Sequence, residues 1–158
     1  MRVYTGMHDA RVRGALFKAW TAKLDRMRQA GAVVVTRPLA YDPVSGRARE
    51  KGIDVRIALD LVRMGRKGQF DVAVIVSQDQ DLREAVDELY DIALEYGRWM
   101  KIASAFVEVP GKRQRGIDRT DWIRISPATY ARNLERSKFY GETGEESISF
   151  LLIDANQV

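Results

Sequence analysis

Residues 70–82, FDVAVIVSQDQDL, constrain this chain more than any other stretch. Val72, Ala73, Val74, Ile75 and Val76 show no polar alternation, the pattern of a strand covered on both faces. In an α/β chain such a strand is parallel and central. The run empties into Asp79 and Asp81, and open parallel sheets gather their chemistry beyond the carboxyl ends of the strands. Two carboxylates that close repel each other unless a cation or a proton intervenes. The segment therefore predicts a central strand with a divalent-metal site at its end.

The rest of the chain alternates strand and helix around that element. Residues 2–5 predict a short strand. Residues 12–30 then predict an amphipathic helix with Leu16, Ala19, Trp20, Leu24 and Met27 inward, ended by Gly31. AVVVTRPLAY predicts a β-branched strand stopped by Pro38, and YDPVSGRAREKG a polar connection. From Ile53 a helix places Val55, Ala58, Leu59 and Val62 along one face and closes near Gly65 and Gly68. After the central strand, residues 82–96 predict a helix with Leu82, Ala85, Val86, Leu89 and Ile92 inward. A strand in WMKIASAFVEV, the basic loop PGKRQRGIDRTD, the strand WIRIS and a helix opened by Pro127 complete the order. Such alternation implies a mostly parallel sheet covered by helices.

At 158 residues the chain is one ordinary domain, long enough to bury about two-thirds of its unfolded surface. Cysteine is absent and His8 is the one histidine, which argues against disulfides, thiolate sites, a zinc site and a histidine base. A hydrophobic share of 46% with 30% charged residues is that of a globular domain. No signal peptide opens the sequence and no apolar stretch can cross a bilayer, so a cytoplasmic, non-membrane protein is expected. Lys and Arg total 26 against 22 Asp and Glu. The basic residues group in connections: Arg47, Arg49 and Lys51; Arg63, Arg66 and Lys67; Lys112, Arg113 and Arg115. A polyanion is a plausible partner.

Asp54, Asp79 and Asp81 are the acidic positions that stand out. Asp54 opens a helix, where an acid complements the helix dipole by about 0.3–1 kcal/mol. Asp79 suits an N-cap, but one cap leaves Asp81 unexplained. Asp60 lies six residues past Asp54, about 240° round the helix, and ranks below the others. Carboxylates without His or Cys suit Mg²⁺ or Mn²⁺, which keep several waters and bridge to phosphate. Metal-activated water is then the expected nucleophile. Ser77 offers a hydroxyl beside the cluster, yet no Ser/His/Asp triad can be assembled, and GRKGQF lacks the P-loop pattern.

EKGIDVRIALDL followed by FDVAVIVSQDQDL resembles the NYN domain, a branch of the PIN-like metal-dependent nucleases. RVYTGMHD, the strand ending in RPLAY and the closing WIRISPATYARNL look like the same group, so the resemblance spans about residues 2–140. It implies an α/β, three-layer PIN-like fold with a mostly parallel central sheet flanked by helices, and a Mg²⁺ or Mn²⁺ ribonuclease. By match to the motif, Asp54 carries over as one acidic ligand and Asp79 and Asp81 as the acids after the strand. Gln78 stands where the family has a small Gly, and its bulk is expected to crowd the site.

NYN domains normally begin with a strand ending in an Asp followed shortly by an Asn, and no such strand precedes RVYTG. The tail, SISFLLIDANQV, has that signature at the other terminus, with Asp154 closing an apolar run and Asn156 or Gln157 beyond. The expected organisation is an NYN/PIN-like domain over residues 1–140 lacking its usual first strand, then a linker and C-terminal strand over 141–158. That strand inserts centrally, inserts into a second copy to give a homodimer by strand exchange, or merely packs on the sheet edge.

These readings converge on a metal-dependent endoribonuclease that hydrolyses RNA phosphodiester bonds, most readily in single strands or loops. Asp54, Asp79, Asp81 and Asp154 are the expected metal ligands and catalytic residues. Ser77, Lys51, Arg113, Arg115 and Asn156 are expected to meet the substrate. The alternative is a non-catalytic RNA-binding or protein-interaction module with a degenerate PIN-like site. A receiver-like phosphoacceptor sheet is disfavoured because Lys101 opens a strand rather than ending one. Trp99 and Trp122 are expected in the core rather than as base-stacking platforms.

Overall fold

The computed structural model of the protein describes residues 1–133 and 149–154. In chain order the elements are β1 (Arg2–Met7), α1 (Gly14–Gln29), β2 (Val33–Pro38), β3 (Ala40–Tyr41), β4 (Ala48–Arg49), α2 (Ile53–Arg66), β5 (Val72–Val76), α3 (Arg83–Glu95), β6 (Lys101–Val107), β7 (Asp121–Ile125), α4 (Pro127–Asn133) and β8 (Ser149–Asp154). A 3₁₀ turn, Gln80–Leu82, leads into α3. The polar connection after β2 is not wholly irregular, because Ala40–Tyr41 and Ala48–Arg49 pair as a short antiparallel ribbon.

The main sheet has the order β2-β1-β8-β5-β6-β7. β1 and β2 are parallel, as are β5, β6 and β7 in succession, while β8 runs antiparallel to both β1 and β5. Five strands therefore point one way and one opposes them. The chain moves outward from β1 to β2 and then back across to β5 and β6. The helices divide between the two faces, with α1 on one and α2 with α3 on the other, as crossovers running in opposite directions along a sheet require when they share one hand. The result is the three-layer arrangement expected of a PIN-like fold, with a mostly parallel central sheet flanked by helices.

Alternation along β1 shows both layers at once. Tyr4 faces the larger core, where Ile53, Ile57 and Leu61 of α2 meet Val86, Leu89 and Ile92 of α3 and Ala73 and Ile75 of β5. Val3 and Thr5, on the other face, are also buried, and the Trp20 indole of α1 donates to the Gly6 carbonyl at 3.1 Å. β5 departs from full two-sided burial: Ala73 and Ile75 are buried, whereas Val72, Val74 and Val76 are half-buried.

α2 is rotated from the orientation its apolar pattern suggests. Ile53, Ile57, Leu61 and Met64 point inward with Asp60, while Val55 and Leu59 are 59% and 56% exposed. The stripe at i, i+4, i+8 and i+11 is disguised because Asp60 lies within it. The fold satisfies that buried carboxylate: Tyr4 Oη donates to it at 3.0 Å, Arg56 Nε at 3.1 Å, and Arg2 and Arg63 pair with it at 3.7 Å. Burial first, and then the Asp60 charge, pushes the Tyr4 hydroxyl up to about 12, so it remains the proton donor. The three guanidiniums stay partly exposed to solvent. Asp60→Ala should thus cost about 1–3 kcal/mol, mainly by stranding the Tyr4 hydroxyl. Equilibrium urea unfolding measures this, and an unchanged midpoint would refute it.

The two tryptophans depart from the core placement as well. Trp99 is 66% exposed and Trp122 is 44% exposed. Trp99 follows the Gly97 turn before β6, and Trp122 sits on the edge strand β7, with Nε1 donating to the Ile117 carbonyl at 3.1 Å.

Candidate metal centre

Because β1, β2, β5 and β6 are parallel, the connections leaving their carboxyl ends share one rim of the sheet. That rim holds the turn after β5, with Asp79 and Asp81, and the segment leading into α2, with Lys51 and Asp54. Gly52, in the left-handed region at φ 71°, immediately precedes α2. A side chain is disfavoured in that conformation, and Arg37 Nη1 braces the turn by donating to the Gly52 carbonyl at 3.0 Å. Asp54 follows in the first helical turn.

After β5 the chain folds on itself. Ser77 Oγ accepts from the Asp79 amide at 3.1 Å, and Asp79 Oδ1 accepts from the Asp81 amide at 3.0 Å. Asp79 therefore is an N-cap, of the 3₁₀ turn that precedes α3. Capping occupies one oxygen of a carboxylate that has two. Among the described residues no arginine or lysine pairs with Asp54, Asp79 or Asp81, in contrast to Asp60.

Electrostatics ties the three acids together. Asp54 is exposed as a residue, yet partial desolvation of its carboxyl, then the charges of Asp79 and Asp81, push its pKa above the ordinary aspartate value. Among the described residues, however, no three acidic or imidazole groups form a ready-made ligand cage. The two observations differ because a charge is felt over a longer distance than a coordination bond spans. The longer-range one matters for Mg²⁺ or Mn²⁺, which binds through one or two carboxylates with water and phosphate completing the shell. An all-oxygen donor set carrying unrelieved repulsion suits that ion class.

One expected residue stands elsewhere. β8 does lie between β1 and β5, but its antiparallel direction sets Asp154 opposite Val72, where β5 begins, and Phe150 opposite Val76, where β5 ends. The expectation that Asp154 joins Asp79 and Asp81 is corrected by that register. A parallel strand would have ended at the rim, whereas this one starts nearer to it. Asn156 lies outside the described residues. β8 pairs here with β1 and β5 of its own chain.

Basic residues cluster on the same rim. Arg47, Arg49 and Lys51 belong to the β2–α2 connection, and Lys112, Arg113 and Arg115 to the β6–β7 connection. The third basic group lies at the far end of α2, where Arg63 pairs with Asp60 and Arg66 with Glu88 at 3.0 Å. Lys51, Arg113 and Arg115 are exposed. His8 is buried with Nδ1 3.0 Å from Tyr41 Oη.

Gln78 does not crowd the acids: its Nε2 reaches across to donate to the Arg115 carbonyl at 2.9 Å. Gln80 does the same to Gly116 at 2.9 Å, and its Oε1 accepts from the Asp118 amide at 3.1 Å. Sequence reasoning missed Gln80, Gln114 and Gly116, whose roles depend on partners 36 or more residues away.

The family model of the NYN domain matches residues 1–109. No curated protein and no solved structure matches the chain. Among the described residues no helix is long and apolar enough to cross a membrane.

Proposed function

The chain belongs to the NYN domain family, whose members are nuclease-like with a PIN-like fold, and from that premise we propose that it is a divalent-metal-dependent endoribonuclease acting on single-stranded RNA. The observation that carries this reading is the repulsion that Asp79 and Asp81 exert on Asp54 at the sheet rim. Asp54, Asp81 and the second oxygen of Asp79 would hold Mg²⁺ or Mn²⁺. Such an ion supplies Lewis-acid polarisation of a phosphodiester and makes water a better nucleophile. The protein's own groups bind and orient the chain: Lys51, Arg113 and Arg115 neutralise phosphates flanking the scissile one, and Ser77 holds the Asp79 backbone in place.

The alternative, a non-catalytic RNA-binding or protein-interaction module, draws on the position of Asp154 away from the other acids. One experiment separates the two. Millimolar Mn²⁺ should raise the melting temperature of the metal-free protein, since a ligand that binds only the native state stabilises it. It should also switch on cleavage of a single-stranded oligoribonucleotide, and EDTA should reverse both effects. RNA binding with neither a thermal shift nor cleavage would transfer the assignment to the module.

A further inference from the structure

The connection Glu108–Thr120 returns the chain from the end of β6 to the start of β7 without a helix or strand. Ordering a stretch of that kind costs about 1–2 kcal/mol per residue in backbone entropy, so its anchors decide its shape. They fall into two groups. Its base is fixed by β6, β7 and Gln80: the Ile117 amide donates to Ser104 Oγ at 3.0 Å, Thr120 Oγ1 donates to the Ile117 carbonyl at 2.7 Å, Gln80 holds Gly116 and Asp118 as described above, and Ile117 is fully buried. A Cβ on Gly116 would collide with Ser104 and lie 2.6 Å from the Trp122 ring, so backbone and sheet touch there.

Its tip has different support. Arg115 is tied through its carbonyl to Gln78, and Gln114 Nε2 lies 3.3 Å from Gln78 Oε1. Gln114 also closes the loop on itself, donating to the Val107 carbonyl at 3.2 Å and accepting from the Val109 amide at 2.6 Å. Gln78 is the residue directly before Asp79, so one half-buried amide joins the acidic turn to the basic tip. We propose that Gln78 is a positioning residue that fastens the Lys112–Arg115 tip beside the acidic turn, so that Arg113 and Arg115 meet the phosphates of an RNA strand lying over it. This rests on the nucleic-acid reading above. It also explains how a bulky residue is accommodated there: its side chain leaves the acids and carries the strap.

Because the base is anchored independently, loss of Gln78 should free the tip without unfolding the domain. The test measures affinity for a fluorescein-labelled single-stranded oligoribonucleotide in EDTA, so that cleavage plays no part, across a series of salt concentrations. Gln78→Ala, and Gln78→Met with its preserved length, should each weaken binding about 3–10-fold with a shallower salt dependence, by about one unit of slope for each phosphate no longer neutralised. Adding Gln78→Ala to the Arg113→Ala/Arg115→Ala double variant should change affinity less than twofold, because the amide acts through those arginines. Wild-type affinity and slope in both single variants, or a further several-fold loss on the arginine-free background, overturns the inference and leaves the nuclease reading standing. A wild-type protein that binds no RNA overturns both.

Discussion

Asp79→Asn should lower RNA cleavage by at least about 100-fold while changing stability by less than about 1 kcal/mol. The asparagine keeps an oxygen for the Asp81 amide, so the 3₁₀ turn retains its cap. What disappears is the charge that would attract the cation. Loss of groups that merely support metal ligands costs about 10–100-fold, and a direct ligand should lie at or beyond the top of that range. Cleavage within twofold of wild type would leave Asp79 as a helix cap and nothing more. Asp54→Asn completes the series with the same loss of cleavage and a different effect on stability. Its pKa is raised in the folded protein, so ionising it costs the fold more than the unfolded chain. Metal-free stability therefore falls as pH rises from below the ordinary aspartate pKa through the higher folded value. Asp54→Asn removes that loss, and the metal-free variant should melt above wild type at neutral pH. A lower melting temperature would mean that the carboxylate is an asset of the fold and no cation is needed to relieve it.

Leu61→Ala should destabilise the protein by about 2–5 kcal/mol, the usual cost of emptying a fully buried leucine site. For a domain of this size each kcal/mol moves the melting temperature by about 2–4 °C, so a fall of about 4–20 °C is expected. Leu61 has no exposed surface and belongs to the core shared with Tyr4, Phe70 and Leu89. Leu59, two residues earlier, is 56% exposed, and Leu59→Ala should change stability by no more than about 0.5 kcal/mol. The pair tests the rotation of α2 directly. Equal losses, or a larger loss at Leu59, would show that Val55 and Leu59 face inward and that Asp60 does not. The orientation matters to the site because α2 carries Asp54 in its first turn.

Different parts of this protein were legible to different degrees in its residues. The apolar run Val72–Val76 announces its own strand, since five such residues have nowhere to go but a sheet interior, and the acids after it follow at once. α3 is equally plain, because no buried charge interrupts its stripe of Ala85, Val86, Leu89 and Ile92. α2 was misleading for the opposite reason. Asp60 looks like a solvent-facing residue until Tyr4, Arg2, Arg56 and Arg63 are assembled round it, and two of those partners are more than 50 residues away. Trp99 and Trp122 mislead in a related way, because size and apolarity favour burial while a place in the turn before β6 and on the edge strand β7 prevents it.

The chain's own residues determined its alternating α/β order, its acidic turn behind a buried strand and the basic connections available to a polyanion, all of which depend on spacing along the backbone. Tertiary structure alone decided strand direction and side-chain reach. It turned β8 so that Asp154 lies opposite Val72 rather than beyond Val76, and sent Gln78 away from the acids to the Arg115 carbonyl. The reason is physical: local patterns record whether a segment prefers to be extended or helical and which face is apolar, but strand polarity and the partner of a half-buried amide are set by groups distant in sequence, where no periodicity records them.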